Sequence, residues 1–304
     1  ELPVDIILFT DSGSSGSGLI AVKYSGTKSS SVDQKIYIWA GNGSATRPGD
    51  TDTYGRENAY ASHVRGFWPS GAGTDRTSYD NDLTMTGSPT DGGASGPING
   101  STATTYNGTS QYGTATASVP TAAAAVFTAW GNASSNTASK TVVALTRSGS
   151  ADHYFVMQDR GADASDPIYA TISAGSGNVS FASSATGFSL STWAQRIAAF
   201  NTSASRYAGI SGVLGTQETT SRVPSSIDRI CVAAFNTTSV SQFFAGDLSF
   251  VKVHTSVLSA DWFAYEKEML DDTDQSDFFG TWTWTAYSAS VIDPLSTSIP
   301  GVSR

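Results

Sequence analysis

The stretch "GDLSFVKVHTSVLSADWFAYEKEMLDDTDQSDFF", residues 246–279, joins two periodicities end to end. Its opening nine residues, "GDLSFVKVH", read as a core strand, rich in the β-branched and aromatic side chains that pleated sheets favour. From Ser259 the period changes. Trp262, Tyr265, Met269 and Leu270 fall at i, i+3, i+7 and i+8, which places them on one face of a helix over 259–272. Ser259 is suited to cap the first amides, and Asp261 lies in the first turn, where negative charge is favoured. The acidic run "DDTDQSD" ends the helix, and no other segment stands out as helical.

Working back from there, the chain repeats short apolar runs between polar turns. From Ala115 onward, "AVFTAW", "KTVVALTR", "HYFVMQD", "IYATIS", "NVSFAS", "AQRIAAF", "RYAGISG" and "RICVAAF" precede "GDLSFVKVH". Near the start, "VDIILFT", "GLIAVKY" and "QKIYIWA" read the same way. About a dozen strands at roughly 10–15-residue spacing predict an antiparallel sandwich or barrel. There is no βαβ alternation to build a parallel sheet. The polar region from Gly41 to Gly113 is too long for a structureless loop in a compact domain, so short edge strands are expected inside it.

Composition agrees with an all-β chain and excludes several functions. Only 14% of the 304 residues are charged, yet 7 Trp, 12 Tyr and 14 Phe are far more aromatics than a disordered chain carries. A net charge of −9 would repel a nucleic-acid backbone, so no nucleic-acid partner is expected. The longest apolar run, "VPTAAAAVFTAW", falls short of the roughly 20 residues a membrane helix needs. The chain opens at Glu1 without a Met and is expected to be a processed or excised segment. Its single cysteine, Cys231 in "IDRICVAAF", reads as a buried structural thiol, with no intrachain disulfide or cysteine zinc site available to it.

The 246–279 stretch resembles the closing segment of LamG-like jelly rolls in the concanavalin A-like lectin/glucanase superfamily, where "S-A-D-W" opens a short helix after a Gly-led strand. "TTYNGTSQYGTA" is similar to an early strand of that family, and "STWAQRIAAFNTSASRYAGISG" to its Trp-containing strand and hairpin. "KIYIWAGN" followed by "YGRENAYASHVRGFWP" is similar to the end of a small β domain that precedes such jelly rolls in bacterial surface and phage-encoded proteins. There, a strap carrying Tyr54, Asn58 and Tyr60 would lead into a first jelly-roll strand near Val64 to Trp68. The resemblance implies an all-β fold: an antiparallel jelly-roll β-sandwich with a small N-terminal β domain and one short C-terminal helix. The expected boundaries are 1–62 for the N-terminal β segment and strap, 63–280 for the jelly roll and 281–304 for an extended arm.

The chemistry-bearing residues argue against catalysis. A retaining glucanase of this superfamily needs closely alternating carboxylates on one strand face. The five glutamates here, Glu1, Glu57, Glu218, Glu266 and Glu268, do not form that pattern, which leaves only Asp pairs as candidates. His63, His153 and His254 have no G-x-S-x-G elbow near them, and His254 reads as a core histidine. No catalytic residue is assigned. Calcium is the one metal considered, at Asp80, Asn81 and Asp82, against the simpler reading of a turn held by Asx hydrogen bonds. Asp159, Asp163 and Asp166 read as a solvated loop. For glycan or partner contact the candidates are Trp68, beside Phe67, and Trp282, Trp284 and Tyr287 of the arm.

These readings converge on a non-catalytic protein of a virion surface, extracellular space or cell surface. It would act as a tail-fibre, capsid-decoration or adhesin component through glycans or neighbouring subunits, as a homo-oligomer or part of a larger assembly. A stand-alone lectin is the alternative, with a glycoside hydrolase behind it.

Overall fold

Strand periodicity becomes two stacked antiparallel sheets in the computed structural model, which describes residues 2–11, 16–23, 46–98 and 100–271. A hairpin of β1 (Val4–Asp11) and β2 (Gly16–Val22) comes first. The strap that follows, with a 3-10 turn at Arg56–Ala59, enters β3 (Val64–Trp68), where the first jelly-roll strand was expected. The polar region holds four short strands, β4 (Thr84–Thr86), β5 (Thr90–Ser95), β6 (Thr102–Asn107) and β7 (Tyr112–Ala115). Longer strands follow: β8 (Ala125–Ala133), β9 (Ser139–Thr146), β10 (His153–Arg160), β11 (Pro167–Ala174), β12 (Val179–Gly187) and β13 (Trp193–Thr202). Then come β14 (Ser205–Ile210), β15 (Val213–Leu214), β16 (Arg229–Val232), β17 (Phe235–Asn236), β18 (Val240–Ser241) and β19 (Ala245–His254). The helix α1 (Ala260–Asp271) closes the described chain. "QKIYIWA" lies outside the described residues.

One sheet has seven strands in the order β12-β11-β10-β9-β16-β7-β4. The other runs β15-β14-β13-β8-β19-β6-β5, with β3 added against β19. β4 and β5 are edges, as the weak apolar content of the polar region foretold. The fold is a jelly-roll β-sandwich.

Alternating residues of both sheets fill the space between them. Phe127 and Phe155 set their rings edge-on to Phe200 at 5.6 and 5.2 Å between centroids. Leu145, Met157, Ile172, Ile230 and Val251 pack in the same cluster, each fully buried apolar side chain stabilising by about 1.5–3 kcal/mol. An ion pair crosses this interior. Arg196 of β13 donates Nε and Nη2 to the Asp159 carboxylate of β10 at 2.9–3.0 Å, with the two side chains 0% and 1% exposed. Gly131 makes room for it, since a Cβ there would stand 2.7 Å from Arg196 Nη1.

The outer face of the eight-stranded sheet is covered by the chain itself. Ser259 Oγ accepts the Trp262 amide at 3.1 Å and starts α1 as the sequence indicates. The helix turns Phe263, Glu266 and Leu270 to the sheet, so of the expected stripe Leu270 is buried and Trp262 half-buried. Trp262, Tyr265 and Met269 instead line, with Ile7 and Leu19 of the hairpin, a cleft of about 220 Å³ beside the helix, and Tyr265 is 53% exposed. The difference follows from Phe263, fully buried against Val126 and Ile197, and from Lys252, which draws Glu266 inward by an ion pair at 2.5 Å. Gln195 Nε2 also donates to Glu266 at 2.7 Å. The hairpin packs Ile7 and Leu19 beside Phe67, Trp130 and Phe250. Fully buried Asp5 ties it to the strap by accepting the Tyr60 hydroxyl at 2.6 Å.

Candidate functional site

The outer face of the seven-stranded sheet is built from the side chains that alternate away from the core. On β11, Ile168, Ala170 and Ile172 point inward, so Tyr169 and Thr171 point out. On β12, Ala182 is in the core and Phe181 is 48% exposed. Near the sheet centre this face is sealed by β17 and β18. Phe235 packs edge-on to Tyr154 at 4.8 Å, and Thr146 Oγ1 donates to Asn236 O at 2.6 Å. A polar ladder lies beneath: Thr171 Oγ1 donates to Gln158 Oε1 at 3.3 Å, and Gln158 Nε2 donates to Gln242 Oε1, which also accepts from Thr141 at 3.1 Å.

Toward the edge the face opens: Val179 and Phe181 of β12 are 45% and 48% exposed and Tyr169 of β11 is half-buried. There Tyr169 and Phe181 stack in parallel, 4.4 Å apart with planes 8° off. Arg160 extends its guanidinium over the Tyr169 ring at 5.0 Å and donates Nε to Asp163 at 3.3 Å. The Tyr169 hydroxyl, followed by Arg160, holds the Asp163 carboxyl below the usual carboxylate range. The tyrosine is raised in turn, first by partial burial and then by Asp163. The result is an apolar ring platform flanked by a carboxylate acceptor, a guanidinium donor and the Tyr169 hydroxyl. With Tyr169 held between Phe181 and Arg160, the exposed Phe181 ring is the one that can stack on the C–H face of a sugar while the rim bonds hydroxyls. Strict alternation in "IYATIS" and "NVSFAS" was the available signal for it. "DRGADASDP", read as a solvated loop, supplies Asp163 to the same surface.

Of the residues singled out in the sequence, the described ones lie elsewhere. Trp68 is not a contact residue: it is 0% exposed in the interior, and its indole Nε1 donates to Asn81 O at 3.1 Å. As a member of β3 paired with β19 it belongs to the sandwich core. Trp282, Trp284 and Tyr287 lie outside the described residues. The calcium reading of Asp80, Asn81 and Asp82 gives way to the turn reading. Asn81 is fully buried, donating Nδ2 to Arg65 O at 2.6 Å and accepting the Ser118 amide on Oδ1 at 2.9 Å. Asp82 Oδ1 accepts the Asp75 amide at 2.8 Å. Buried Asp75 accepts the Phe67, Thr77 and Asn81 amides at 2.9–3.0 Å, so the segment is a hydrogen-bonded plug. Among the described residues no group of three or more His, Cys, Asp or Glu is placed to hold a metal.

Cys231 is buried, as read, beside Ala144 and Val156, and burial pushes its thiol up to about 11. His254 is buried too, stacked on His63 at 5.9 Å and edge-on to Trp262 at 5.4 Å. Burial, then Lys252 and His63, hold it well below the ordinary histidine value. Among the described residues neither of its ring nitrogens has a hydrogen-bond partner. No described helix is long and apolar enough to cross a membrane.

No protein-family model matches the chain, and no curated protein is similar to it in sequence. Solved structures are similar in fold. Domain 4 of AbnA, a GH43 extracellular arabinanase from Geobacillus stearothermophilus in complex with arabinotriose, is 13% identical with a TM-score of 0.54, over 66% of this chain and 97% of that one. The binding domain of botulinum neurotoxin DC in complex with SialylT is 10% identical with a TM-score of 0.51, over 70% of this chain. A botulinum neurotoxin type C structure, described as interacting with two ganglioside molecules, is 10% identical with a TM-score of 0.50, over 68% of this chain. The chain spans about half the length of those neurotoxin structures, 52% and 51%.

Proposed function

We propose that this protein is a non-catalytic saccharide-binding sandwich, working at an exposed surface through the open end of its seven-stranded sheet. The observation that carries the reading is the uncovered Tyr169–Phe181 ring stack, with Arg160 and Asp163 at its rim. Stacking on the exposed ring of Phe181 would orient a sugar, and the rim groups would choose among hydroxyl patterns. Fold neighbours that are complexed with arabinotriose or described with gangliosides support this choice of ligand class. The non-catalytic part is supported by how the glutamates are used: Glu266 is paired with Lys252 and Glu218 lies 3.7 Å from Arg206.

A glycan array probed with the full chain, with calcium and with chelator, tests this. Defined hits that vanish in Phe181→Ser and Tyr169→Ala support the reading; hits indifferent to both substitutions place the site elsewhere.

A second reading, a tail-fibre, capsid-decoration or adhesin subunit held by protein contacts, is favoured by one observation. Val179 and Phe181, 45% and 48% exposed, form an apolar pair on the edge strand β12. Light scattering on a size-exclusion column separates the two. An oligomer broken by Phe181→Ser, without glycan hits, makes the ring stack a subunit contact.

A further inference from the structure

A second cleft, of about 420 Å³, opens where the strap meets the turn after β3, remote in sequence from the ring stack. Its polar lining comes from Arg56, Ser70, Thr74, Arg76, Asp91 and Thr102. The lining carries two guanidinium groups and one carboxylate, and each guanidinium is backed by a further aspartate, Asp5 or Asp50.

Both arginines are held in place without being used up. Arg76 donates Nη1 to Asp5 at 3.2 Å, and that carboxylate is fully buried and fixed again by Tyr60. Arg76 Nε and Nη2 have no protein partner among the described residues. Arg56 pairs Nη2 with Asp50 at 2.9 Å, while its Nε is buried with no hydrogen-bond partner among the described residues. A buried polar group left without a partner is uncommon and calls for an explanation, and a guanidinium fork matches a planar carboxylate or a sulfate. The remaining groups suit a ligand that also carries hydroxyls. Asp91 accepts Thr104 Oγ1 on Oδ1 at 3.2 Å, leaving Oδ2 as an acceptor. Ser70 Oγ has only a 3.4 Å bond to Ala72 O.

We infer that this cleft is a second binding site, which takes the acidic group of a carboxylated or sulfated saccharide between Arg56 and Arg76 and one of its hydroxyls on Asp91. The inference rests on the saccharide reading above, at a different site.

Calorimetry and backbone-amide NMR on the full chain test it with glucuronate, galactose 6-sulfate, glucose, acetate and inorganic sulfate. Either acidic sugar, or both, is expected to bind and to shift amides of residues 70–76 and 91–92; which one binds tells carboxylate from sulfate. Arg56→Gln, whose lost partner Asp50 is solvent-accessible, is expected to weaken that binding tenfold or more, and Asp91→Asn to weaken the sugars but not the bare anions. Glucose binding the cleft as well as the acidic sugars, or unchanged affinity in Arg56→Gln, overturns the inference. Acetate or sulfate binding as tightly as the sugars overturns its saccharide half, and silence from every acidic probe overturns it whole. Phe181→Ser separates the two sites: array hits lost there with acidic-sugar binding retained leave this cleft standing, while the converse removes it alone.

Discussion

The two sheets of this sandwich treat their outer faces in opposite ways. The eight-stranded sheet hides its outer face under α1, the strap and the β1–β2 hairpin, which bury Phe67, Trp130, Phe250 and Phe263. Among the described residues the seven-stranded sheet is covered at its centre by the small β17–β18 ribbon, while Phe181 at one end is 48% exposed beside half-buried Tyr169. What differs is whether another part of the same chain lies on top, and that decides whether a ring contributes to stability or remains available for a ligand.

The sharpest way to break this contrast is to truncate one ring on each face. Phe263→Ala should cost about 3–5 kcal/mol in denaturant unfolding, since the helix loses its buried anchor. Phe181→Ala should cost under about 1 kcal/mol. Equal losses would mean that the seven-stranded face is not open.

Next in size is the ion pair under the helix. Lys252→Met leaves the Glu266 carboxylate, 7% exposed, with Gln195 as its remaining partner. Stability should drop by about 2–3 kcal/mol, and Lys252→Met with Glu266→Gln should recover part of it. A double variant no better than the single one would show that Lys252 matters for packing on Phe67 and Trp262 rather than for charge.

The third prediction is in pH. His254 lies on the covered face against Lys252, His63 and Trp262, and its folded-state pKa is depressed. The unfolded chain therefore takes up a proton near pH 6.5 while the folded protein does not. The stability this contributes is present above pH 6.5 and is lost as pH falls, by about 1.4 kcal/mol per pH unit until the folded histidine itself titrates. Unfolding curves between pH 7 and 5 should show that slope, and His254→Gln should flatten it. An unchanged slope would assign it to other groups.

Much of this architecture was legible in the sequence because it is local. "IYATIS" alternates and forms β11; "SADWFAYEKEML" carries its own cap and forms α1. His254 and Cys231 sit in apolar runs, and both are buried. The site was harder. Trp68 and Phe181 each stand in a strand-like run, and nothing local separates them. Asp159 and Arg196, 37 positions apart, gave no sign of pairing across the core.

By itself the sequence determined an all-β chain, the places where most strands fall, one capped helix, and which positions share a strand face. These follow from short-range sterics and from the two-residue period of the pleat. Only the tertiary structure decided which face each sheet turns to solvent. β3 was drawn in beside β19, burying Trp68, while β12 was left at an edge with Phe181 exposed. The reason is physical: alternation says that a side chain points away from its neighbours, but burial depends on what a distant part of the chain lays over it.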